Sequence, residues 1–529
     1  MAATTEVSLV QRLESMKGCF GTQAGRQVEA LLDEAVITQV TGSGAISRMH
    51  EVLLFLRAYP ASRGVLRKAD RLLHTFARRI DDPDAYAGGE ISGIAGTRIS
   101  AIFSHEIARR LAALHRRRLA LNWEGYEAPV HLPPLLLRKL SLLGEDWPVE
   151  ANIPFAHWFD LRGLDWLLNE LDADTYDALR IALTWSFGSA GTTRSRARWP
   201  STRVYYHDAP LMRRQEVSLA EHLAGPPLPV RKLETQESSR LLDFILETSA
   251  VRYRELYGFT WPDQQHVWWA DGGRGVEMCL FGAPPGRRLP LRAYHAGMFF
   301  KNGVPAGYFE TLSLFERAEV GFNLYPGFRD GETAYLYARL LRLLRQKLHV
   351  TAFAVDPYQI GLHNEEAIES GAYWFYRKLG FRPVDSGILR ATQHEESKLA
   401  KAQGYRTPPA TLRRLAAGGL IYAGAPEWDG FSVRQLGMRV ARGSGDAAPW
   451  PALLGAIPGF SNWSAEERLA VEQIVSAKTG ATEQHYLRLM QRHSKLREAM
   501  LRLGHGGRPH PDQDHRAAKA TARGVPARS

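Results

Sequence analysis

The residues that could carry acid–base chemistry lie in the second half of the chain. Tyr376 lies in a predicted helix that stops at Gly380, and a phenol can donate a proton or a hydrogen bond to a leaving group. Glu319 lies on a predicted strand and could accept a proton, with Glu310 and His295 as alternatives. The structural alternative is that Tyr376 only packs between a helix and the sheet and that Glu319 is solvated.

The segment around Tyr376 resembles the last helix and following turn of the GNAT acetyltransferase superfamily. Its sequence at positions 372–383 is AYWFYRKLGFRP. The superfamily pattern is Ala-x-x-x-Tyr-x-Lys-x-Gly-Phe, and Ala372, Tyr376, Lys378, Gly380 and Phe381 fall in register with it. The resemblance implies that Tyr376 is the general acid toward the departing coenzyme A thiolate.

The resemblance also implies a general base on the strand that enters the cofactor loop. Side-chain alternation along this strand places Glu319, Gly321 and Asn323 on one face. Glu319 is therefore the first candidate for the base that assists deprotonation of an acceptor amine. Glu310 and His295 remain its rivals.

The loop after that strand matches part of the superfamily's coenzyme A motif, Arg or Gln-x-x-Gly-x-Gly or Ala. A helix N-terminus presents unpaired backbone donors and positive potential to a pyrophosphate. Gly331 matches the first glycine, but Asp330 and Glu332 bring carboxylates to the phosphate position, and they could instead cap the helix. We therefore expect a weakened cofactor site. The residues that the resemblance assigns to acetyl-coenzyme A or another acyl-coenzyme A are Phe328, Arg329, Gly331, Thr333, Ala334 and, if a short insertion separates it from Ala372, Asn364.

The pattern of elements predicts an α/β fold, with a mixed, mostly antiparallel sheet and flanking helices. The Pro-rich stretch at 225–229 separates a mainly helical domain (1–224) from a GNAT-like acyltransferase domain (230–390). The dipeptide Asn302-Gly303 predicts a hairpin between strands 291–300 and 304–315, and residues 365–379 read as one helix. A helical extension (391–503) and a disordered tail (504–529) follow, and the tail's histidines are better interpreted as solvated than as metal ligands.

Composition narrows the class of protein. The formal net charge of +11 and the sequence pI of about 9.6 favour acidic partners, such as nucleic acid or an acyl carrier protein. The basic segment 194–199 is a candidate nucleic-acid loop, although a solvated loop is the favoured interpretation.

Cys19 and Cys279 give neither a disulfide framework nor a zinc motif, and Cys279 is expected to be buried and inert. With no apolar run long enough to span a membrane and no signal-peptide layout, we expect a cytoplasmic protein.

Together these features predict transfer of an acetyl or other acyl group from acyl-coenzyme A to an amine acceptor. The alternative is a non-catalytic scaffold of GNAT fold that binds an acidic partner, nucleic acid or acidic protein, through its basic helical region. A third possibility keeps the chemistry but takes the acyl group from an acyl carrier protein. The sequence does not choose the acceptor, the acyl chain length or the oligomeric state.

Overall fold

The computed structural model describes residues 2–86, 92–124, 163–201, 203–252, 255–422, 426–444 and 448–505. The predicted tail lies outside the described residues beyond position 505. The fold is mixed α/β, with a large, mostly antiparallel sheet, as predicted.

The N-terminal part combines helices with a small sheet. Four helices pack together, and each buries an apolar stripe, as α4 does with Val65, Ala69 and Leu72. The prediction of a mainly helical region missed the antiparallel strands, whose order is β1-β3-β2. The elements are α1 (Ala2–Met16), α2 (Thr22–Ile37), α3 (Ser43–Ala58), α4 (Arg63–His74), β1 (Arg98–Ile102), α5 (His105–His115), β2 (Leu119–Leu121), α6 (Gly163–Glu170), α7 (Ala173–Leu179), β3 (Ala182–Ser186) and α8 (Leu219–Ala224).

The large sheet has the strand order β11-β12-β10-β9-β8-β7-β6-β5-β4. Among the described strands, only β9 and β10 pair in parallel. Its elements are β4 (Val230–Lys232), α9 (Thr235–Ala250), α10 (Tyr257–Thr260), β5 (Trp268–Gly273), β6 (Val276–Gly282), β7 (Ala293–Lys301), β8 (Val304–Leu314), β9 (Arg317–Leu324), α11 (Thr333–Leu348), β10 (Ala352–Val355), α12 (Glu365–Glu369), α13 (Ala372–Lys378) and β11 (Arg382–Pro383).

The predicted hairpin between β7 and β8 is confirmed. Asn302 and Gly303 both have positive φ, at 50° and 78°, which the tight turn requires. The predicted single helix over 365–379 is instead two helices, because Gly371 breaks it with φ 68°. Gly380, with φ 99°, ends the second one as expected.

The C-terminal part is not purely helical, since β12 inserts between β10 and β11. Helix α19 packs on β7, β8 and α11, and α18 and α20 pack against α19. One continuous core joins Leu9 at one end of the chain to Leu501 at the other. The remaining elements are α14 (Ser386–Lys401), α15 (Pro409–Leu415), β12 (Leu420–Tyr422), α16 (Val433–Ser444), α17 (Pro449–Ala456), α18 (Ala465–Gly480), α19 (Glu483–Arg492) and α20 (Ser494–Gly504).

The two faces of the large sheet differ in character. The register of β8 with β9 places Glu310 opposite Gly321 and Leu312 opposite Glu319, so both glutamates lie on one face, which we call the Glu310 face. Helices α9 and α10 pack on this face. The opposite face carries Phe322, whose ring lies 5.0 Å from that of Tyr337 on α11.

Candidate functional site

Strands β9 and β10 diverge after a short paired stretch. Their pairing ends at Glu319 and Ala354, while β9 continues to Leu324. The chain after β10 turns away in the 3₁₀ turn Pro357–Ile360. We call the space between residues 320–324 and this turn the strand opening.

Gly321 leaves the Glu310 face of β9 without a side chain between Glu319 and Asn323. A Cβ added to Gly321 would lie 3.7 Å from Nε2 of Gln359, an ordinary contact distance. On the neighbouring strand, the Tyr308 hydroxyl accepts a 2.9 Å hydrogen bond from the Asn323 amide. The opening is therefore bordered by polar groups.

Glu310 is half-buried directly across from Gly321. Burial raises its pKa, and a hydrogen bond donated by the Tyr294 hydroxyl opposes that rise. Tyr294 is itself held in place because its hydroxyl accepts a 2.9 Å hydrogen bond from Gly258 N–H. A positioned carboxylate with a raised pKa is better matched to proton transfer near neutral pH than an ordinary glutamate.

Glu319, the first candidate from the sequence, lies on the same face but between two arginines. Its carboxylate is 3.6 Å from the Arg317 guanidinium and 3.9 Å from that of Arg292, and its side chain is 25% exposed. These two guanidinium groups already pair with its carboxylate. The geometry favours Glu310 over Glu319 as the base.

His295, the other rival, is on the opposite side of the sheet. It pairs with Thr311 on β8 and therefore faces away from Glu310. Burial, with Lys478 and Arg288 nearby, lowers its pKa to about 3, so the ring is neutral. It cannot act on a group bound at the Glu310 face.

Tyr376 lies on the face of the sheet that α11 covers, in a group of aromatic rings. Its ring lies 5.4 Å from that of Tyr337 and 5.6 Å from that of Phe381, and only 3% of the residue is exposed. Burial raises its pKa, so the phenol is protonated and available as a hydrogen-bond donor. Glu319 and Tyr376 thus lie on opposite faces of the sheet, and only a ligand that passes between β9 and β10 could touch both.

The segment 325–332, which we call the donor loop, is where the resemblance places the pyrophosphate. Helix α3 lies against it: a Cβ added to Gly331 would be 2.4 Å from the Tyr59 hydroxyl, and one added to Gly327 would be 2.2 Å from the Glu51 carboxylate. The amides of Phe328, Arg329 and Gly331 donate to carbonyls of the loop itself, and that of Glu332 donates to Tyr59. These amides are therefore not free for a phosphate.

Glu332, at the end of the donor loop, is fully buried among cations. Its carboxylate accepts two hydrogen bonds from Arg274, one of them at 2.9 Å, one from Lys301 at 3.2 Å and one from Met212 N–H at 3.1 Å. Burial alone would raise the pKa of Glu332, but Lys301 and Arg274 lower it below its usual value. Burial lowers the pKa of Lys301 to about 8, and Glu332 opposes that fall.

This Glu332 cluster (Glu332, Lys301 and Arg274) places the chain's own carboxylate and its cations where the family pattern would put a phosphate. The Glu332 carboxylate already pairs with the two cations that could otherwise bind an anionic ligand. A pyrophosphate at the same position would have to displace it, and an unpaired buried charge costs about 3–5 kcal/mol. The donor loop is closed in this structure.

The remaining residues that the resemblance assigned to the cofactor serve the fold. Thr333 donates its hydroxyl to the Arg329 carbonyl at 3.0 Å, and the Arg329 guanidinium pairs with Glu366 on α12. Asn364 caps α12 by accepting from Ala367 N–H at 3.2 Å. Phe328 and Ala334 are buried in the core.

The basic segment 194–199 is mostly buried and is therefore not the solvated loop that the sequence favoured. Arg194 is 3% exposed and pairs with Glu51 on α3, and Ser195 accepts hydrogen bonds within the same buried region. Arg198 pairs with Asp70 at 3.2 Å, and Trp199 N–H donates to Gly303. The segment joins the helical bundle to the large sheet, with Arg194 and Arg198 paired to carboxylates of α3 and α4 and Arg196 left at the surface.

Sequence reasoning missed Lys301 and Arg274 as partners of Glu332. The one signal available in the sequence is the pair of carboxylates, Asp330 and Glu332, in a loop that the resemblance assigns to a phosphate. A carboxylate buried at that position requires cationic partners from elsewhere in the chain. Cys279 is buried as expected, and burial raises the pKa of its thiol to about 12. Within the described ranges, no group of three or more His, Cys, Asp or Glu could hold a metal ion, and no helix could cross a membrane.

Comparison with known proteins gave no match: no family model, no curated protein and no solved structure is similar to this chain.

Proposed function

We propose that the protein transfers an acyl group from a thioester donor to an amine, with the reaction centred on the strand opening. The observation that carries this proposal is the position of Glu310, a half-buried carboxylate with a raised pKa that faces Gly321 at the divergence of β9 and β10. The GNAT resemblance around Tyr376 supports the same type of reaction. A cytoplasmic location is part of the same proposal.

In this reaction, the amine nitrogen attacks the thioester carbonyl from the Glu310 face. The carbon–nitrogen bond forms, the carbon–sulfur bond breaks, and Glu310 takes the proton that the amine loses. Tyr376 donates a hydrogen bond to the sulfur from the other face as it leaves as a thiolate. Glu319, between its two arginines, orients polar groups of the acceptor.

The closed donor loop restricts the donor. Free acyl-coenzyme A would need its pyrophosphate held by the loop that α3 and the Glu332 cluster occupy. An acyl carrier protein presents its thioester on a phosphopantetheine arm without that pyrophosphate, and its acidic surface is complementary to the net charge of +11. We therefore infer a carrier-bound donor.

The test is transfer from an acyl carrier protein and from acetyl-coenzyme A to a panel of polyamines, amino sugars and amino acids, followed by mass spectrometry. Acylated amine should form from the carrier, and Glu310→Gln should lower the rate by about 10²–10⁴-fold. Glu277→Gln is the matched control, because Glu277 is also a half-buried carboxylate with a raised pKa but lies on β6. Saturable transfer from free acetyl-coenzyme A would contradict the inferred donor.

A second candidate is a non-catalytic scaffold of the same fold. The observation that favours it is the Glu332 cluster itself, since a chain that never binds a donor can fill the donor loop without loss. Absence of transfer from both donors, with the wild type correctly folded, would select this candidate.

A further inference from the structure

One exposed surface has a charge pattern that acyl transfer does not use. Helix α4 exposes Arg63, Arg67, Arg71 and its last residue His74, and Arg78 is exposed in the 3₁₀ turn Phe76–Arg79 that follows. Spacings of four, four and three residues place the three arginines and His74 on one side of α4, and Arg78 extends the row past its end. We call these five residues the basic stripe.

The arginines of the basic stripe have no side-chain partner among the described residues. The other basic groups of the same region are paired: Lys68 with Asp33 at 2.7 Å, and Arg57 with Asp70 at 2.6 Å. Like charges four residues apart destabilise an isolated helix by about 0.2–0.5 kcal/mol per pair. The row of like charges is therefore exposed to solvent, and the nearby carboxylates Asp33 and Asp70 pair with Lys68 and Arg57 instead.

A neighbouring arginine adds to the same surface. Arg196 donates to the His74 carbonyl at 2.8 Å and to the Ser189 carbonyl at 3.0 Å, so its charge lies beside the stripe without a carboxylate. Neither contact neutralises the guanidinium. The surface is therefore more positive than the five residues of the stripe alone would make it.

We propose that the basic stripe binds the phosphate backbone of a nucleic acid without reading its sequence. A rise of about 1.5 Å per residue separates successive arginines by about 6 Å, which gives a straight row suited to a regular row of phosphates. Arginine binds phosphate through two parallel hydrogen bonds, which lysine cannot do. The stripe itself contains no apolar or aromatic side chain for insertion into lipid or for stacking on bases.

A lipid surface is the competing occupant that the experiment must separate. Ile37, at the end of α2, is 85% exposed, and Arg79, next to Arg78, donates to the carbonyls of Ala35 and Thr38 in the same region. One exposed isoleucine at one end of a row of arginines gives little apolar area for membrane insertion. The straight arginine row favours nucleic acid.

The test is fluorescence anisotropy of the full chain with a short labelled duplex DNA and a short labelled single-stranded RNA, repeated over a range of salt concentrations. Arg67→Glu with Arg71→Glu should weaken binding by at least about tenfold and reduce the steepness of the salt dependence by roughly two phosphate contacts. The control is Arg468→Glu with Arg492→Glu, the same change of net charge at exposed arginines of α18 and α19.

Equal weakening by both double variants would overturn the proposal, because the binding would then follow net charge and not the stripe. Binding to phosphatidylserine vesicles without binding to either nucleic acid would also overturn it, in favour of a lipid surface. Far-ultraviolet circular dichroism and thermal unfolding confirm that each variant is folded. The outcome does not depend on acyl transfer, since neither arginine lies near the strand opening.

Discussion

The donor loop and the strand opening are consecutive along the chain, yet they are filled in opposite ways. In the donor loop, Tyr59 lies where a bulkier side chain at Gly331 would lie, and Glu332 is fully buried between Lys301 and Arg274. At the strand opening, β9 continues beyond the end of its pairing with β10 and stays paired with β8 alone, and a Cβ on Gly321 would meet nothing closer than 3.7 Å. The donor loop is thus closed by the chain itself, while the strand opening keeps polar groups around an open edge.

This difference shows that a short sequence resemblance does not by itself decide what a loop can bind. The resemblance of the residues around Tyr376 and of Gly331 to the GNAT pattern rests on spacing alone. Contacts with α3 and with the β7–β8 hairpin, which are both distant in sequence, determine which ligand the donor loop can hold. The donor is therefore inferred from the contacts of the loop and not from its glycine.

The largest expected effect is on the free energy of unfolding, and it tests whether the Glu332 cluster contributes more than an ordinary surface salt bridge. Glu332→Ala leaves Lys301 buried without its carboxylate, so the free energy of unfolding should fall by about 3–5 kcal/mol. Urea denaturation measures this. An effect below about 1 kcal/mol would show that the cluster contributes no more than a surface pair.

The next prediction tests the strand opening. Gly321→Val places a branched side chain at the opening and should lower acyl transfer by about 10²-fold, because a small displacement of the reacting groups is enough for such a loss. The added Cβ meets only ordinary contacts, so the unfolding midpoint should stay close to that of the wild type. Gly286→Val, in a turn with open space around it, is the matched control. Unchanged transfer in Gly321→Val would place the reaction elsewhere.

A third prediction concerns acid sensitivity near the Glu332 cluster. Burial and the charge of Lys301 lower the pKa of His207 to about 3, and neither ring nitrogen has a hydrogen-bond partner. The unfolded chain binds this proton below pH 6.5 and the folded chain does not, so the free energy of unfolding falls as pH falls from 6.5 to about 3. The slope from one such group is about 1.4 kcal/mol per pH unit.

His207→Phe should reduce the measured slope by about 1.4 kcal/mol per pH unit, because the ring is surrounded by Phe20, Tyr59 and Tyr205 and tolerates an apolar replacement. The remaining slope comes in part from His50 and His295, whose pKa values burial also lowers. Glu332 acts in the same direction at lower pH, since its lowered pKa gives stability that is lost as pH falls through the folded-state value. Urea denaturation across the pH range measures the slope. His74→Gln, at an exposed histidine, is the control, and an unchanged slope in His207→Phe would contradict the assignment.

The smallest effect is expected at the other carboxylate of the donor loop. Asp330 is 71% exposed and pairs with Lys17 at 2.7 Å, so Asp330→Ala should change the free energy of unfolding by less than about 1 kcal/mol. It should also leave acetyl-coenzyme A unbound, because Glu332 and not Asp330 closes the loop. Gain of acetyl-coenzyme A binding in this variant would show that Asp330, and not Glu332, closes the donor loop.

The elements predicted from the sequence were those with local causes. The β7–β8 hairpin follows from two residues that accept positive φ, and the end of α13 follows from Gly380, which also has positive φ. The three-residue strand β12 has too few residues for a periodic pattern, and its position between β10 and β11 is a property of the whole sheet. The break at Gly371 was missed because the apolar pattern continues on both sides of it.

Prediction of the site was limited by long-range contacts. Lys301 and Arg274 are separated from Glu332 by 31 and 58 residues, so no spacing rule connects them. The burial of Arg194 was missed because a run of arginines has the composition of a solvated segment, whereas Glu51 neutralises it inside the protein. The choice between Glu310 and Glu319 required the positions of Arg292 and Arg317, which only the structure provides.

The most direct test of the closed donor loop is titration of the wild-type protein with acetyl-coenzyme A by calorimetry, together with hydrogen exchange of the amides of residues 333–335. We predict no saturable heat up to millimolar ligand and unchanged exchange at these amides. Saturable micromolar binding that protects the amides of residues 333–335 would show that the pyrophosphate enters the loop and would contradict the account.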